Sequence, residues 1–143
     1  IQVEMGIEDN LPAVLGDHRY LRIAFLNLVK NAIEAFDSQK QGNKITIKIS
    51  ENYPFVELLV LDNGPGILPE KLEKIFEPYF STKSFGTGIG LTMVHKIVTE
   101  HNGNIKVESQ IDVGTSFTLM IPQYQGESAK FLENHQDQNL KKH

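Results

Sequence analysis

Two short glycine-rich segments constrain the fold of this chain more than any other feature. They are residues 62–67 (DNGPGI) and residues 86–91 (GTGIGL). The first follows the apolar run 56–61 and opens on the carboxylate of Asp62, and the second leads into the apolar-periodic segment 91–98. Glycine lets backbone N–H groups approach an anion closely, and a helix N-terminus adds unpaired donors. The pattern predicts a strand ending in a carboxylate, a lid segment and a helix around a nucleotide site.

Composition narrows the class of protein further. The chain has 143 residues, of which 40% are hydrophobic, and this fits one domain with a hydrophobic core. It contains no cysteine, which excludes disulfides, thiol nucleophiles and thiolate metal sites. The net charge of −4, with acids and bases mixed along the chain, argues against a nucleic-acid partner. Because the chain begins at Ile1 inside a strand-like pattern, we expect it to be a fragment of a longer protein.

The apolar periodicity predicts eight elements, in the order strand, helix, strand, strand, short helix, helix, strand, strand. This order favours an α+β fold in which helices pack on one face of a mixed sheet. We expect strands at residues 1–5, 45–49, 55–61, 105–109 and 116–121, and helices at residues 21–36, 69–76 and 88–101.

Three local signals refine these bounds. Asp17 is a candidate N-cap for the first long helix, because its carboxylate can accept a hydrogen bond from an early helical N–H. Residues 1–5 alternate apolar and polar, the period of a half-buried strand. The pattern ends at Pro122, so we expect a domain at residues 1–122 and a polar C-terminal tail at residues 123–143.

The first long helix carries an unusual polar stripe. Asn27 and Asn31 are four residues apart and therefore share a face, and Glu34 follows three residues later. Two interpretations stay open from periodicity alone. The stripe is either a solvated helix face, or it places a carboxamide oxygen, which is a suitable hard ligand for Mg²⁺.

The glycine segments also leave alternatives open. Residues 62–67 alone fit an ordinary Asp-Asn-Gly turn. Residues 86–91 lack the Lys-Ser/Thr pair of a Walker A loop, and no strand leads into them as in a dinucleotide-binding fingerprint, so a flexible linker is the plain alternative. Lys83 favours a phosphate site, because its ammonium group can act as a point charge.

Taken in order, these segments resemble the catalytic, ATP-binding domain of sensor histidine kinases, which belongs to the GHKL superfamily. The resemblance covers residues 1–122. It rests on residues 27–32 (NLVKNA, the N box), 62–67 (first glycine box), 76–80 (FEPYF, the F box), 86–91 (second glycine box) and 114–117 (GTSF, the final glycine-threonine motif). It implies the Bergerat ATP-binding fold, a two-layer α/β sandwich with a mixed, mostly antiparallel sheet and helices on one face.

The resemblance implies ATP and Mg²⁺ as cofactors and assigns roles to single residues. Asp62 would accept a hydrogen bond from the adenine amine, with Thr115 supporting that corner through water. Gly64 and Gly66 would let the chain approach the base. Asn31 would coordinate Mg²⁺.

The remaining catalytic and lid roles are also implied only by the resemblance. Asn27, one turn before Asn31, would contact phosphate or a metal-bound water, and Lys83 would contact phosphate. The other positions implied to bind the nucleotide are Ile67, Gly86, Thr87, Gly88, Gly90 and Leu91. Ile67, Ile75 and Leu91 fit the lining of the base pocket and fit plain core equally well.

The function implied is transfer of the γ-phosphate of ATP to a histidine on a dimerisation and phosphoacceptor domain that precedes Ile1. ATP-hydrolysing relatives carry a water-orienting Glu at the position of Asn27, and asparagine cannot act as a general base. The alternatives are a serine kinase of the anti-sigma-factor type and a non-catalytic nucleotide-binding module. A kinase of this kind would be a cytoplasmic enzyme, membrane-anchored or not, whose parent is a homodimer serving a response regulator, while this fragment alone would be monomeric.

Overall fold

Five strands form one mixed sheet, and two long helices pack on one face of it. The computed structural model describes residues 1–37, 40–77 and 90–124. Its elements are β1 (Gln2–Ile7), α1 (His18–Ala35), β2 (Lys44–Asn52), β3 (Phe55–Asp62), α2 (Pro69–Leu72), α3 (Gly90–Glu100), β4 (Asn104–Gln110) and β5 (Gly114–Pro122). The predicted order of strands and helices is confirmed.

The sheet has the strand order β1-β2-β3-β5-β4. β1 runs parallel to β2, and the other neighbours are antiparallel. A parallel pair needs a crossover connection, and α1 supplies it between β1 and β2. The predicted mixed, mostly antiparallel sheet is therefore confirmed.

The hydrophobic core lies between the helices and one face of the sheet. α1 buries Ala24, Leu28 and Ala32, and α3 buries Val94, Ile97 and Val98. On the sheet, the strand register aligns an apolar row that consists of Ile47, Val60, Phe117 and Val107. The small side chains of Ala24 and Ala32 allow α1 to pack close to its neighbours.

α1 begins where the sequence signal placed its cap. The Asp17 carboxylate accepts a hydrogen bond from the Arg19 backbone N–H at 2.9 Å, which confirms the predicted N-cap. The same residue is tied to the end of α3, because its backbone N–H donates to Nε2 of His101 at 3.1 Å. The proton of that neutral imidazole therefore sits on Nδ1 and is donated to the carbonyl of Ile97 at 2.7 Å. The N-terminus of α1 and the C-terminus of α3 are thus held together.

The expectation that the first strand is half-buried was wrong. All six residues of β1 are exposed. The apolar residues of this strand and its N-terminal neighbour are between 53% and 64% exposed, namely Ile1, Val3, Met5 and Ile7. The physical reason is position: β1 is an edge strand, whereas the helices pack over β3, β4 and β5.

The short helix was predicted too long. α2 ends at Leu72 rather than at residue 76. The chain continues in tight turns, in which the N–H groups of Lys74 and Glu77 bond to carbonyls three residues earlier. α3 ends at Glu100 and is closed by Asn102 and Gly103, the predicted C-terminal cap. The Gly103 N–H donates to Val98 O at 2.9 Å, and Asn102 takes the left-handed conformation, with φ 59°.

The last described residues remain attached to the domain. The backbone N–H of Gln123 donates to Pro54 O, and that of Tyr124 donates to Ala13 O at 2.7 Å. The predicted tail beyond Tyr124 lies outside the described residues. Within the described part of the chain, no helix combines the length and the apolar character needed to cross a bilayer.

Candidate functional site

One end of the sheet changes from apolar to polar within a single row of residues. Next to the apolar row of the core, the register aligns Ile45, Asp62, Thr115 and Ser109 across β2, β3, β5 and β4. Asp62 is 4% exposed and Thr115 is 5% exposed. Buried polar groups require hydrogen-bond partners, and the pairing of a carboxylate with a hydroxyl at the margin of the core makes this row the candidate binding site.

The Asp62 side chain closes the turn that follows β3. Its Oδ1 accepts a hydrogen bond from the Gly64 backbone N–H at 2.9 Å, and a Cβ atom on Gly64 would lie 2.9 Å from the same oxygen. The local geometry is therefore the simple Asp-Asn-Gly turn, as the alternative reading of this segment expected. The burial of the carboxylate goes beyond what a surface turn requires.

The first glycine segment is locked against the β4–β5 hairpin. The Asp112 N–H donates to Pro65 O at 2.8 Å. Gly66 has φ +79°, and a Cβ atom on it would overlap the carbonyl oxygen of Gln110. At Gly114, φ is +148°, and a Cβ atom would overlap the backbone of Asp62. Only glycine fits at these two positions, and their close approach fixes the loop beside Asp62 and Thr115.

Ser109 is a site residue that the sequence analysis did not single out. Its hydroxyl Oγ accepts from the Ile67 N–H at 2.7 Å and lies 2.8 Å from Thr115 Oγ1 and 3.1 Å from Gly114 O. One signal was present in the sequence. β4 alternates Ile105 and Val107 on its inner face, and a serine at the next inner position breaks that apolar pattern.

The asparagine stripe of α1 lies between Gly64 and Gly90. The Asn27 Nδ2 donates to Ile23 O at 2.9 Å, and its Oδ1 lies 3.0 Å from the position of a Cβ atom on Gly90. Two turns further along α1, the Cβ of Ala35 lies 3.5 Å from the position of a Cβ atom on Gly64. Asn31 is half-buried and lies one turn from each of these contacts. The predicted metal position therefore occupies the side of α1 that faces the site.

Glu34 belongs to the outer edge of that stripe. Its carboxylate lies 3.8 Å from the Lys30 ammonium, and the side chains of Lys30 and Glu34 are 75% and 38% exposed. An exposed ion pair four residues apart on a helix contributes little to stability. This arrangement fits the interpretation of Glu34 as part of a solvated helix face.

The apolar residues near the site divide between core and margin. Ile75 is buried in the core, whereas Ile67 and Leu91 are partly buried and pack against it. Phe76 packs edge-to-face on Phe117, with ring centroids 6.5 Å apart. Its carbonyl accepts a hydrogen bond from the Thr92 hydroxyl at 2.9 Å, which joins the segment after α2 to the first turn of α3.

Several predicted site residues lie outside the described part of the chain. They are Lys83, Gly86, Thr87 and Gly88, together with the F-box residues 78–80. Their assigned roles stay predictions. Within the described ranges, no group of three His, Cys, Asp or Glu side chains is placed to hold a metal ion. The carboxamide oxygen of Asn31 is a hard donor of the kind that suits Mg²⁺, an ion that keeps several waters and shares the phosphates of its substrate.

Comparison with known proteins identifies a family and several relatives that match most of this chain. The family described as "Histidine kinase-, DNA gyrase B-, and HSP90-like ATPase" matches residues 16–125. The sensor histidine kinase ZraS of Escherichia coli K12 is 43% identical over 122 residues, which cover 85% of this chain and 26% of ZraS. Sporulation kinase C of Bacillus subtilis is 37% identical over 107 residues, which cover 75% of this chain and 24% of that kinase. The chain thus spans about a quarter of the length of these relatives.

Solved structures give the same result for the fold. The nucleotide-free catalytic domain of histidine kinase ThkA superposes with a TM-score of 0.74 at 36% identity, covering 85% of this chain and 80% of that domain. The mycobacterial sensor histidine kinase MprB superposes with a TM-score of 0.73 at 28% identity, covering 85% of this chain and 81% of MprB. The two-layer α/β fold predicted from the sequence is therefore confirmed.

Proposed function

Because the chain belongs to the family of histidine kinase-, DNA gyrase B- and HSP90-like ATPases, we propose that it is the ATP-binding, phosphoryl-donor domain of a sensor histidine kinase. The proposed reaction passes the γ-phosphate of ATP to a histidine on a separate phosphoacceptor domain. One observation carries the proposal. Asp62 and Thr115 are buried side by side at the end of the sheet, beside the loop that contacts the asparagine face of α1.

Asp62 and Thr115 are the proposed purine contacts. The Asp62 carboxylate accepts from the Gly64 N–H, and because a carboxylate offers lone pairs to several donors, it can also accept from the exocyclic amine of adenine. Gly64 and Gly66 keep the adjoining backbone free of side chains where the base would approach, and Ile67 and Leu91 offer apolar surface at its margin.

Asn31 is the proposed metal ligand. Its carboxamide oxygen is a hard donor, and Mg²⁺ is commonly held by one or two protein oxygens together with substrate phosphates and waters. When bound, Mg²⁺ neutralises charge on the phosphates and orients them for transfer. Asn27 and Gly90 bring the start of α3 against the same helix face. The proposed phosphate contacts of Lys83, Gly86, Thr87 and Gly88 complete the site.

Transfer is favoured over hydrolysis by the chemistry of Asn27. Its amide nitrogen is engaged with Ile23 O, and an amide cannot remove a proton from water at neutral pH. Phosphoryl transfer needs mainly positioning and charge neutralisation, which this site can supply. The relatives described above are named as sensor and sporulation kinases. These points favour the histidine kinase over a serine kinase of the same superfamily or a non-catalytic module.

The partners follow from this assignment. The acceptor histidine would lie on a dimerisation domain upstream of Ile1 in a homodimeric parent, and a response regulator would receive the phosphate from it. We propose that the domain is cytoplasmic and has no nucleic-acid partner. We also propose that residues 1–122 form the catalytic unit and that residues 123–143 form a polar C-terminal tail.

Calorimetry with ATP, with and without Mg²⁺, tests the nucleotide site. We expect Asp62→Asn to weaken ATP binding roughly tenfold or more under both conditions, because it removes a charged acceptor. We expect Asn31→Ala to abolish most of the gain from Mg²⁺ while leaving metal-free binding in place. Asn104→Ala, on the exposed start of β4, is the matched control. Unchanged ATP affinity in Asp62→Asn would refute the site.

Incubation with γ-labelled ATP tests the reaction. The chain alone should acquire no phosphohistidine, whereas the upstream region of the parent protein, supplied in trans, should become labelled on histidine. A stable phosphohistidine on this chain alone would contradict the proposed division of labour. Label on serine of an added protein partner would favour the serine kinase instead.

A further inference from the structure

The Ser109 hydroxyl has three hydrogen-bond neighbours, and their number fixes the direction of each bond. A serine hydroxyl has one proton and two lone pairs. The Ile67 N–H, at 2.7 Å, can only donate, and the Gly114 carbonyl, at 3.1 Å, can only accept. The third neighbour, Thr115 Oγ1 at 2.8 Å, can do either. All three contacts are satisfied together only if Ser109 donates to Gly114 O and Thr115 donates to Ser109.

We propose that Ser109 is a specificity-determining positioning residue, which orients the Thr115 hydroxyl so that its oxygen can only accept hydrogen bonds from a purine. This inference rests on the proposed function, because it concerns the base that would lie against Asp62 and Thr115. Once the single proton of Thr115 is committed to Ser109, only oxygen lone pairs remain for a ligand. Thr115 is 5% exposed, so bulk water does not readily replace the Ser109 contact.

The neighbour of Thr115 presents the same polarity. Asp62 is its direct cross-strand partner, and an ionised carboxylate is also acceptor-only. A 6-amino purine offers two N–H donors to this pair of acceptors. A 6-oxo purine would instead bring a carbonyl oxygen against lone pairs. Its single N1–H donor can satisfy only one of the two acceptors, so at least one buried polar group is left without a partner.

The conclusion is the same if one water lies between the protein and the substituent at C6 of the base. A water molecule that is held by Asp62 and Thr115, both of them acceptors, has both of its protons engaged. It then presents only lone pairs to the base, and it can accept from a 6-amino group but cannot donate to a 6-oxo group.

The opposite bond direction would weaken this discrimination. If Ser109 donated to Thr115, the Gly114 carbonyl would lose the serine proton, and the Thr115 proton would be available to a 6-oxo group, while Asp62 would still accept from a 6-amino group. The change in discrimination on substitution of Ser109 therefore reports which way the Ser109–Thr115 hydrogen bond runs.

The test is the ratio of ATP to inosine triphosphate (ITP) affinity, measured by calorimetry on the full chain. The wild-type chain should prefer ATP. Ser109→Ala frees the Thr115 proton to turn towards a 6-oxo group, so the ratio should fall roughly tenfold, the worth of about one hydrogen bond to a polar partner. Ser109→Thr keeps a hydroxyl and should retain most of the preference. Ser116→Ala makes the same chemical change at the next position of β5, on the opposite face of the strand, and should leave the ratio unchanged.

The ratio of ATP to ITP affinity distinguishes a role of Ser109 in specificity from a purely structural role. A loosened loop would weaken both nucleotides equally, so an unchanged ratio in Ser109→Ala, with ATP still preferred by the wild type, overturns the role of Ser109 alone. Equal wild-type affinities for ATP and ITP overturn it as well. A wild-type chain that binds neither nucleotide refutes the proposed function itself. If Ser109→Ala does not fold, Ser109→Cys, whose thiol bonds weakly, should show the same fall in ratio, and an unchanged ratio there is equally decisive.

Discussion

The side-chain oxygen of Asn27 lies 3.0 Å from the position that a Cβ atom would occupy on Gly90, so the middle of α1 rests against the first residue of α3. The amide is held in this orientation by the hydrogen bond from its Nδ2 to Ile23 O. Alanine would suit a helix better than glycine by about 1 kcal/mol, and this contact explains why the position has no side chain.

A double-mutant cycle between these two residues tests that contact. We expect Gly90→Ala alone to leave the free energy of unfolding unchanged or lower, because the new methyl group displaces the Asn27 amide. In an Asn27→Ala background the same change should raise the free energy of unfolding by up to about 1 kcal/mol, the helix-propensity gain. Urea unfolding gives both values. An identical effect in the two backgrounds would show that the residues are not coupled.

Gly66 and Gly42 form a matched pair for the loop beside Asp62. Both have φ near +80°, but a Cβ atom would overlap the Gln110 backbone at Gly66 and would meet nothing within 4 Å at Gly42. Gly42→Ala should cost about 1 kcal/mol of unfolding free energy, from backbone conformation alone. Gly66→Ala should cost at least about 2 kcal/mol more, because backbone atoms must move. Equal losses in thermal or urea unfolding would mean that the loop and the hairpin are not tightly packed.

The N-cap of α1 predicts a specific acid sensitivity. Hydrogen bonds from the Arg19 side chain and backbone lower the pKa of Asp17 from 3.8 to about 2. Because the folded pKa lies below the unfolded one, the stabilisation is fully present above about pH 4 and is lost as the pH falls towards 2. Asp17→Asn keeps a capping oxygen but does not titrate. Across this window the wild type should therefore lose more thermal stability than Asp17→Asn does.

Titration of Asp17 by NMR checks the cause directly. Arg19→Gln removes the guanidinium that bonds to the carboxylate and keeps the backbone N–H of residue 19, so the pKa should move part of the way back to 3.8. An unchanged pKa in this variant would assign the shift to the backbone bond alone.

The elements that could be predicted from the sequence are those whose signals are local. The cap at Asp17, the alternation of β2 and the turn after Asp62 each depend on a few neighbouring residues. β1 was misjudged because alternation reveals that a strand has an apolar face but not whether any helix covers it. α2 was predicted too long because tight turns after Leu72 carry little sequence signal of their own.

The residues of the candidate site also differ in how much of their role is visible in the local sequence. Asp62, Thr115, Gly64 and Gly66, which the structure brings together, could be proposed from the sequence because their residue types and spacing match a known family. Ser109 was not, because its role depends on the β4–β5 register and on a loop more than forty residues earlier, which together bring Thr115 and Ile67 to one hydroxyl. Contacts of that kind exist only once the sheet has formed.

In the polar row at the end of the sheet, the side chains that would favour folding stability differ from those that would favour binding of a base. Its members Asp62 and Thr115 continue the inward-facing positions that Val60 and Phe117 occupy one row deeper. An aliphatic replacement such as valine at position 115 would extend the apolar core by one layer and would remove the proposed contact with the base. Selection for higher folding stability and selection for the proposed purine site therefore favour different side chains at position 115.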